Sequence, residues 1–300
     1  MKKVLVTGAN GFIGRQCLPL LIARGFEVHA TALENDLLSQ PDLHWHNADL
    51  LDKNSIDSLV SKIRPSHLLH FAWYTEHKKY WTAPENHIWS AAGLDLISAF
   101  QSCGGKRAVM AGSCAEYDWK CGCCREDTTP LSPATLYGVC KNELRQSAEK
   151  FSAMHRMSFA WGRIFFVYGP GEHPGRLVPS VIRSLLRGSP AACSDGRQVR
   201  DFLYVEDVAS AFACLLESDV QGAVNIASGV PVTVKEIIDM IAEKIGRPDL
   251  IEFGRLPAPP GDPLLLSADA AKLKKEAGWF PEYTLSLGLD KTIAWWKERL

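Results

Sequence analysis

The stretch Val4-Leu5-Val6-Thr7-Gly8-Ala9-Asn10-Gly11-Phe12-Ile13-Gly14 constrains the fold of this chain more than any other. Three aliphatic residues run into glycines at 8, 11 and 14, the spacing of a buried strand that turns tightly into a helix. Without side chains the backbone can approach a ligand closely, and the amides of the following helix start are left to meet a dinucleotide pyrophosphate. A glycine triplet also serves turns and close helix packing. Its place after a strand and before a helix assigns Gly8, Asn10, Gly11, Phe12, Ile13 and Gly14 to cofactor binding.

The rest of the front half extends that unit. Apolar strands are expected at Lys3–Thr7, Glu27–Ala32, His44–Asn47, His67–Ala72, Arg107–Ala111 and Ser158–Phe166, alternating with amphipathic helices. Such alternation predicts an α/β fold with a doubly wound parallel sheet. A helix from about Ile13 to Ala23 contains Pro19, which removes a hydrogen bond and predicts a kink, and Gly25 suits its end. Apolar residues at Ile88, Ala91, Ala92, Leu96, Ile97 and Phe100 predict a helix over Asn86 to Cys103, and another is expected from Leu136 to His155. After Gly169-Pro170-Gly171 the alternation loosens and prolines punctuate short elements. Residues 1–167 and 200–228 are therefore expected to form the dinucleotide-binding domain, with 168–199 and 229–300 as a smaller C-terminal α/β lobe that binds substrate.

Composition narrows the class. With 33 basic against 34 acidic residues, electrostatics offers no case for nucleic acid. Met1-Lys2-Lys3 runs straight into a strand, with no apolar stretch for a signal peptide or membrane span, so a cytoplasmic protein is expected. Cys114, Cys121, Cys123 and Cys124 crowd together, but Cys-Gly-Cys-Cys lacks the paired spacing of a zinc site, and an odd total of nine argues against a disulfide framework. Reduced thiols and no metal are expected.

The identity of the dinucleotide turns on the end of the second strand, where an acid would hold the ribose hydroxyls of NAD. Glu27-Val28-His29-Ala30-Thr31-Ala32 ends without one; Glu34, two residues later, is one candidate to take its place, and a 2′-phosphate pocket is the alternative. The gap leaves room for a 2′-phosphate with Arg15 as its cation, which favours NADP over NAD. Asp49-Leu50 either brackets the adenine or begins a helix as its N-cap region. His70-Phe71-Ala72-Trp73 should place Phe71, Ala72 and Trp73 along the cofactor.

Tyr137 and Lys141 stand one helical turn apart on one face. A phenol that shuttles a proton near neutrality must favour its anion by roughly 4 kcal/mol over its ordinary state, and a neighbouring ammonium supplies charge for that shift. Ser113 can hydrogen-bond the substrate oxygen. The same Tyr-x-x-x-Lys spacing also suits an ordinary amphipathic helix.

Taken in order, these segments resemble the extended short-chain dehydrogenase/reductase family of nucleotide-sugar epimerases and dehydratases, over essentially the whole chain. Thr7 to Gly14 is similar to the family's TGxxGxxG turn, Gly112 to Tyr117 to its post-strand serine segment, and Tyr137 to Lys141 to its YxxxK. Arg163 to Gly171 resembles RxxNVYGPG, and Arg200 to Ala209 resembles RDFxxVxDVA. The resemblance implies that Ser113 orients the hydroxyl or carbonyl, Tyr137 exchanges its proton and Lys141 holds the nicotinamide ribose. It also implies that Arg200 contacts the nucleotide diphosphate; a salt bridge to Asp201 or Asp207 is the alternative. Cys114, Val178, Arg255 and Asp262 complete the expected substrate contacts. Asp207 and Asn225-Ile226-Ala227-Ser228-Gly229 are expected to be architectural.

Departures from the family set the reaction. Dehydratases follow the Ser/Thr with an Asp-Glu pair, whereas Cys114-Ala115 follows Ser113 and Glu116 is displaced by one, which disfavours dehydration. Cys114 and His173 are the nearby candidates for an added acid and base. Trp89 stands where the family usually has asparagine, and with Trp73, Trp81 and Trp119 it either stacks on a ligand or fills the core. The expected activity is reduction of a 4-keto-sugar carried on a nucleotide diphosphate, with an NAD-dependent 4-epimerase as the alternative and a non-catalytic sensor or scaffold as a third reading. The resemblance also implies a homodimer built from helices 86–103 and 136–155 in a four-helix bundle.

Overall fold

The computed structural model describes residues 2–33, 41–257 and 261–300. The chain runs β1 (Lys2–Thr7), α1 (Gly14–Ala23), β2 (Phe26–Ala32), β3 (Leu43–Asn47), α2 (Lys53–Ile63), β4 (His67–His70), α3 (Glu85–Ser102) and β5 (Arg107–Ser113). A short β6 (Cys123–Cys124) precedes α4 (Leu136–Met154), β7 (Ser158–Ile164) and β8 (Phe166–Tyr168). Then follow α5 (Leu177–Leu186), β9 (Ala191–Ala192), β10 (Val199–Tyr204), α6 (Val205–Glu217), β11 (Gly222–Ile226), β12 (Pro231–Thr233) and α7 (Val234–Ile245). The end of the chain carries β13 (Ile251–Glu252), β14 (Leu265–Ala268), α8 (Ala271–Glu276) and α9 (Leu285–Lys297).

Seven strands form one parallel sheet in the order β11-β7-β5-β4-β1-β2-β3. The order reverses between β1 and β4, and a crevice opens at the carboxyl ends of strands on either side of such a switch point. One face buries α1 and α6 through Leu18, Leu21, Val208 and Phe212, and the other buries α2, α3 and α4 through Ile56, Leu96, Phe100 and Leu144. Both faces being covered explains why these strands read as continuous apolar runs.

Pro19 does not interrupt α1, which is continuous from Gly14 to Ala23. It lies on the exposed side, where water can take the carbonyl that the missing N–H leaves free. Two expected strands end early. β4 stops at His70, and Phe71-Ala72-Trp73 leave the sheet to line the crevice. The strand expected over Ser158–Phe166 breaks at Phe165, and β8 pairs instead with β10 in a second sheet, β12-β10-β14-β6. Residues 200–204, expected in the dinucleotide domain, thus belong to the small sheet, because β10 hydrogen-bonds to β8, β12 and β14. From Val205 the chain returns to the large sheet. Around the small sheet, α5, α7 and α9 bury Val181, Ile182, Ile238, Ile241 and Ile293 as a separate core. No described helix is long and apolar enough to cross a membrane.

Candidate active site

The carboxyl edge of the large sheet opens into a cavity of about 520 Å³. Its floor at one end is the glycine turn. Gly11 N donates to Gly8 O at 3.0 Å, and Gly8 has φ +64°, with room for no side chain: an added Cβ would lie 2.7 Å from Ala72 N. A Cβ on Gly14 would collide with Gly8 O. Helix α1 begins with no side-chain cap and no acid in its first turn, a start open to an anion, with Arg15 N and Gln16 N already donating to Gly11 O and Ile13 O. Thr31, Ala32, Leu33, Ala48, Asp49, Leu50 and Leu51 continue the wall. The cradle and the continuous wall fit a dinucleotide.

Asp49 is not the helix cap. That position belongs to Asp52, which accepts from Asn54 N and Ser55 N, while Asp49 accepts from Leu51 N at 2.9 Å and lines the cavity with Leu50. Arg15 does not line the cavity beside β2. Its Nη2 donates to Gly171 O at 3.0 Å, so it ties α1 to the loop after β8. Glu34 lies outside the described residues.

At the other end Ser113, Tyr137 and Lys141 meet. Ser113 ends β5, and Thr135 caps α4 by accepting from Gly138 N, which fixes Tyr137 in the first turn. Gly138 is required there, since a Cβ would collide with Ala115 O. Lys141 is 3 % exposed; its Nζ donates to Ala111 O at 2.9 Å and lies 3.7 Å from the centre of the Trp73 ring. Burial lowers the Lys141 ammonium to about 7, and enclosure by Tyr80 and its neighbours raises the Tyr137 phenol. The expected lowering of Tyr137 by Lys141 is thus absent from the protein alone, because desolvation dominates at both groups.

Aromatic side chains complete this end. Tyr137 meets Tyr80 edge-on at 5.0 Å, Trp81 at 5.8 Å and Trp73 at 6.3 Å. Trp73 Nε1 donates to Asn86 Oδ1 at 2.8 Å, and Asn86 is itself buried, donating to Tyr80 O and Ala83 O. Trp89 and Trp73 line the cavity, whereas Trp119 packs on Trp81 at 6.0 Å and donates to Cys114 O.

Glu116 is fully buried and fully used. Its carboxylate accepts from Ser113 N, Trp161 Nε1 and Arg163 Nε, each at 2.8 Å, closing a capping box that holds Ser113 at the strand end. Gly112 is needed for the same reason, since a Cβ would collide with Trp161 Nε1.

The substrate residues expected in the second lobe do not line this cavity. Val178 is a core residue, 1 % exposed among Val181, Ile182 and Leu185. Arg255 is on the surface, paired with Glu252 at 3.2 Å. Arg200 donates to Asp262 Oδ1 at 2.6 Å and to Val199 O at 2.8 Å. Its partner is therefore Asp262 rather than Asp201, which accepts from Ser228 and Gly229, or Asp207, which accepts from Glu282 N and Tyr283 N. Cys114 lies 8 % exposed behind Ser113, its thiol pushed up to about 12 by burial. All nine cysteines are free thiols. His173 does line the cavity, and so do Thr75, Tyr80, Ile164, Phe165, Val167, Glu172 and Arg176, none of which the sequence had marked. An acid directly after Gly169-Pro170-Gly171 was the available signal for Glu172.

A model of the NAD dependent epimerase/dehydratase family matches residues 4–227, more than half of the chain. The chain belongs to that family. It is 26 % identical to a dTDP-glucose 4,6-dehydratase of Neisseria gonorrhoeae, covering 98 % of this chain and 95 % of that one. Among solved structures it resembles a UDP-glucose 4-epimerase of Thermus thermophilus in complex with NAD, at 27 % identity and a TM-score of 0.86 over 99 % of this chain and 100 % of that one. It also resembles MoeE5 in complex with UDP-glucuronic acid and NAD, at 33 % identity and a TM-score of 0.86 over 99 % and 100 %. TM-scores of 0.86 over nearly the whole chain show that these structures share the fold whose parallel seven-stranded sheet is described above.

Proposed function

We propose that this chain interconverts the two C4 configurations of a nucleoside-diphosphate hexose, with NAD held in the cavity and unchanged after each turnover. The observation that carries this reading is the environment at the end of β2. Arg15, the cation nominated for a 2′-phosphate, is bonded to Gly171 O instead. The described cavity residues at that end include the carboxylate of Asp49 and no cation, which opposes a 2′-phosphate. The expectation of NADP loses its support there, and the 4-keto-sugar reductase that depended on it loses support too. The family's NAD dependence and the NAD-bound neighbours favour the same reading.

Residues carry distinct tasks in this mechanism. The glycine turn and α1 amides hold the pyrophosphate, Asp49 and Leu50 bracket the adenine, and Phe71, Ala72 and Trp73 lie along the cofactor. Bound NAD supplies the acceptor and donor of hydride at C4 and, while oxidised, a positive charge beside the phenol. Ser113 Oγ holds the C4 oxygen, Tyr137 Oη takes the hydroxyl proton and later returns it, and Lys141 steadies the charge that this exchange creates. The acid that follows the serine in the family's dehydratases has no free counterpart at that place, since Glu116 is held by three donors. Arg200, poised on Asp262, is proposed as the diphosphate contact, and α3 with α4 as the seam of a homodimer.

Denaturing the purified protein and assaying the released dinucleotide tests the proposal. NAD approaching one per chain is expected. An empty protein that consumes NADPH with a 4-keto nucleotide sugar would overturn it.

A further inference from the structure

Glu172 is a buried carboxyl that the mechanism above leaves without a task. It is 6 % exposed, it lines the cavity beside Arg176, and its Oε2 has no hydrogen-bond partner in the protein. Buried polar atoms without partners are uncommon and costly, and at a cavity wall the missing partner points to a ligand.

The loop that carries Glu172 is pinned. Arg15 Nη2 grips Gly171 O, and Gly171 has φ +82° with the same guanidinium packed where a Cβ would stand. His173 stacks on His77 at 4.8 Å. The Arg176 guanidinium lies 5.6 Å from the centre of the Tyr80 ring, and Tyr80 in turn meets Tyr137. The loop that carries Glu172 is thus held between the start of α1, through Arg15 and Gly171, and the Tyr80–Tyr137 aromatic group, through Arg176. Glu172 sits on the loop that leads into the second lobe rather than on the strand ends that cradle a dinucleotide, so the ligand it serves is the second one.

We propose that Glu172 is a specificity-determining residue whose Oε2 hydrogen-bonds a ring hydroxyl of the hexosyl group. The assignment rests on the nucleotide-hexose reading above. A sugar hydroxyl donates and accepts, and so satisfies a carboxyl oxygen in either protonation state. Burial pushes the Glu172 carboxyl up to about 8, against the charge of Arg176 and a hydrogen bond from the Gly169 backbone. Near neutrality the group is then protonated and donates. The other charged or titratable neighbours are Arg15, His173 and His77 on the elements that hold the loop, and Tyr80.

Titration calorimetry on the NAD-loaded protein, with UDP-glucose and with UDP alone, tests this on wild type, Glu172→Leu and Glu172→Gln. Glu172→Leu is expected to weaken UDP-glucose binding by about 10-fold and UDP binding by less than about 2-fold, while Glu172→Gln, which keeps a donor and an acceptor, stays within about 3-fold for both. Equal UDP-glucose affinities in all three proteins, or equal losses for UDP and UDP-glucose, would overturn the assignment. A wild-type protein that binds neither ligand would contradict the nucleotide-hexose reading itself, and this assignment with it.

Discussion

At the scale of single residues, the proposed proton chemistry rests on Tyr137 and its setting. Replacing it with phenylalanine keeps the ring that packs on Tyr80, Trp81 and Trp73 and removes only the exchangeable proton. Tyr137→Phe should therefore lower turnover by about 10²- to 10⁴-fold with NAD content unchanged, measured by steady-state kinetics and by dinucleotide release. Wild-type turnover in that variant would mark the protein as a non-catalytic binder. Buried histidines give a second expectation. His46 and His67 are lowered to about 4 and His70 to about 3, chiefly by burial, while the unfolded chain protonates histidine near pH 6.5. Between those values the unfolded state binds more protons, so stability should fall as pH drops from about 6.5 toward 4. Urea midpoints across that range would check it, and a midpoint that rose on acidification would contradict it. Ser113, Tyr137 and Lys141 were legible because their side chains carry the chemistry and their spacing is local. Arg15 was misread and Glu172 missed because their partners, Gly171 and the cavity wall, are set by contacts far along the chain.

At the scale of elements, the site depends on how closely α4 docks on the turn after β5. Gly138 stands against Ala115 O and lies 2.9 Å, as a Cβ would, from Pro133 Cβ. Gly138→Ala must push α4 away, costing about 1–3 kcal/mol of stability and displacing Tyr137 from Ser113. Thermal unfolding and kcat should fall together in this variant; a neutral effect on both would show that the docking is looser than drawn. The strands of the large sheet were readable from apolar runs bounded by polar turns, and their ends fell within a few residues of expectation. The exchange between sheets was not readable. Ser158–Ile164 and Phe166–Tyr168 form one apolar run, and only the pairing of Phe166–Tyr168 with Val199–Tyr204 reveals that the chain changes sheets at Phe165.

At the scale of the whole molecule, the cavity joins two lobes with different roles. The large sheet offers the glycine turn, Asp49 and the Ser113, Tyr137 and Lys141 group; the loop after β8 brings Glu172, His173 and Arg176 to the same space. Arg15 links them, running from α1 to the loop after β8. On the proposed reading the enzyme keeps its dinucleotide and turns over one substrate without a second reductant. The most direct measurement is to incubate the purified protein with UDP-glucose and no added dinucleotide, following the sugar by proton NMR. The account predicts a steady approach to a mixture of the two C4 epimers. UDP-glucose left unchanged, by a protein that oxidises added NADPH in the presence of a 4-keto nucleotide sugar, would contradict it.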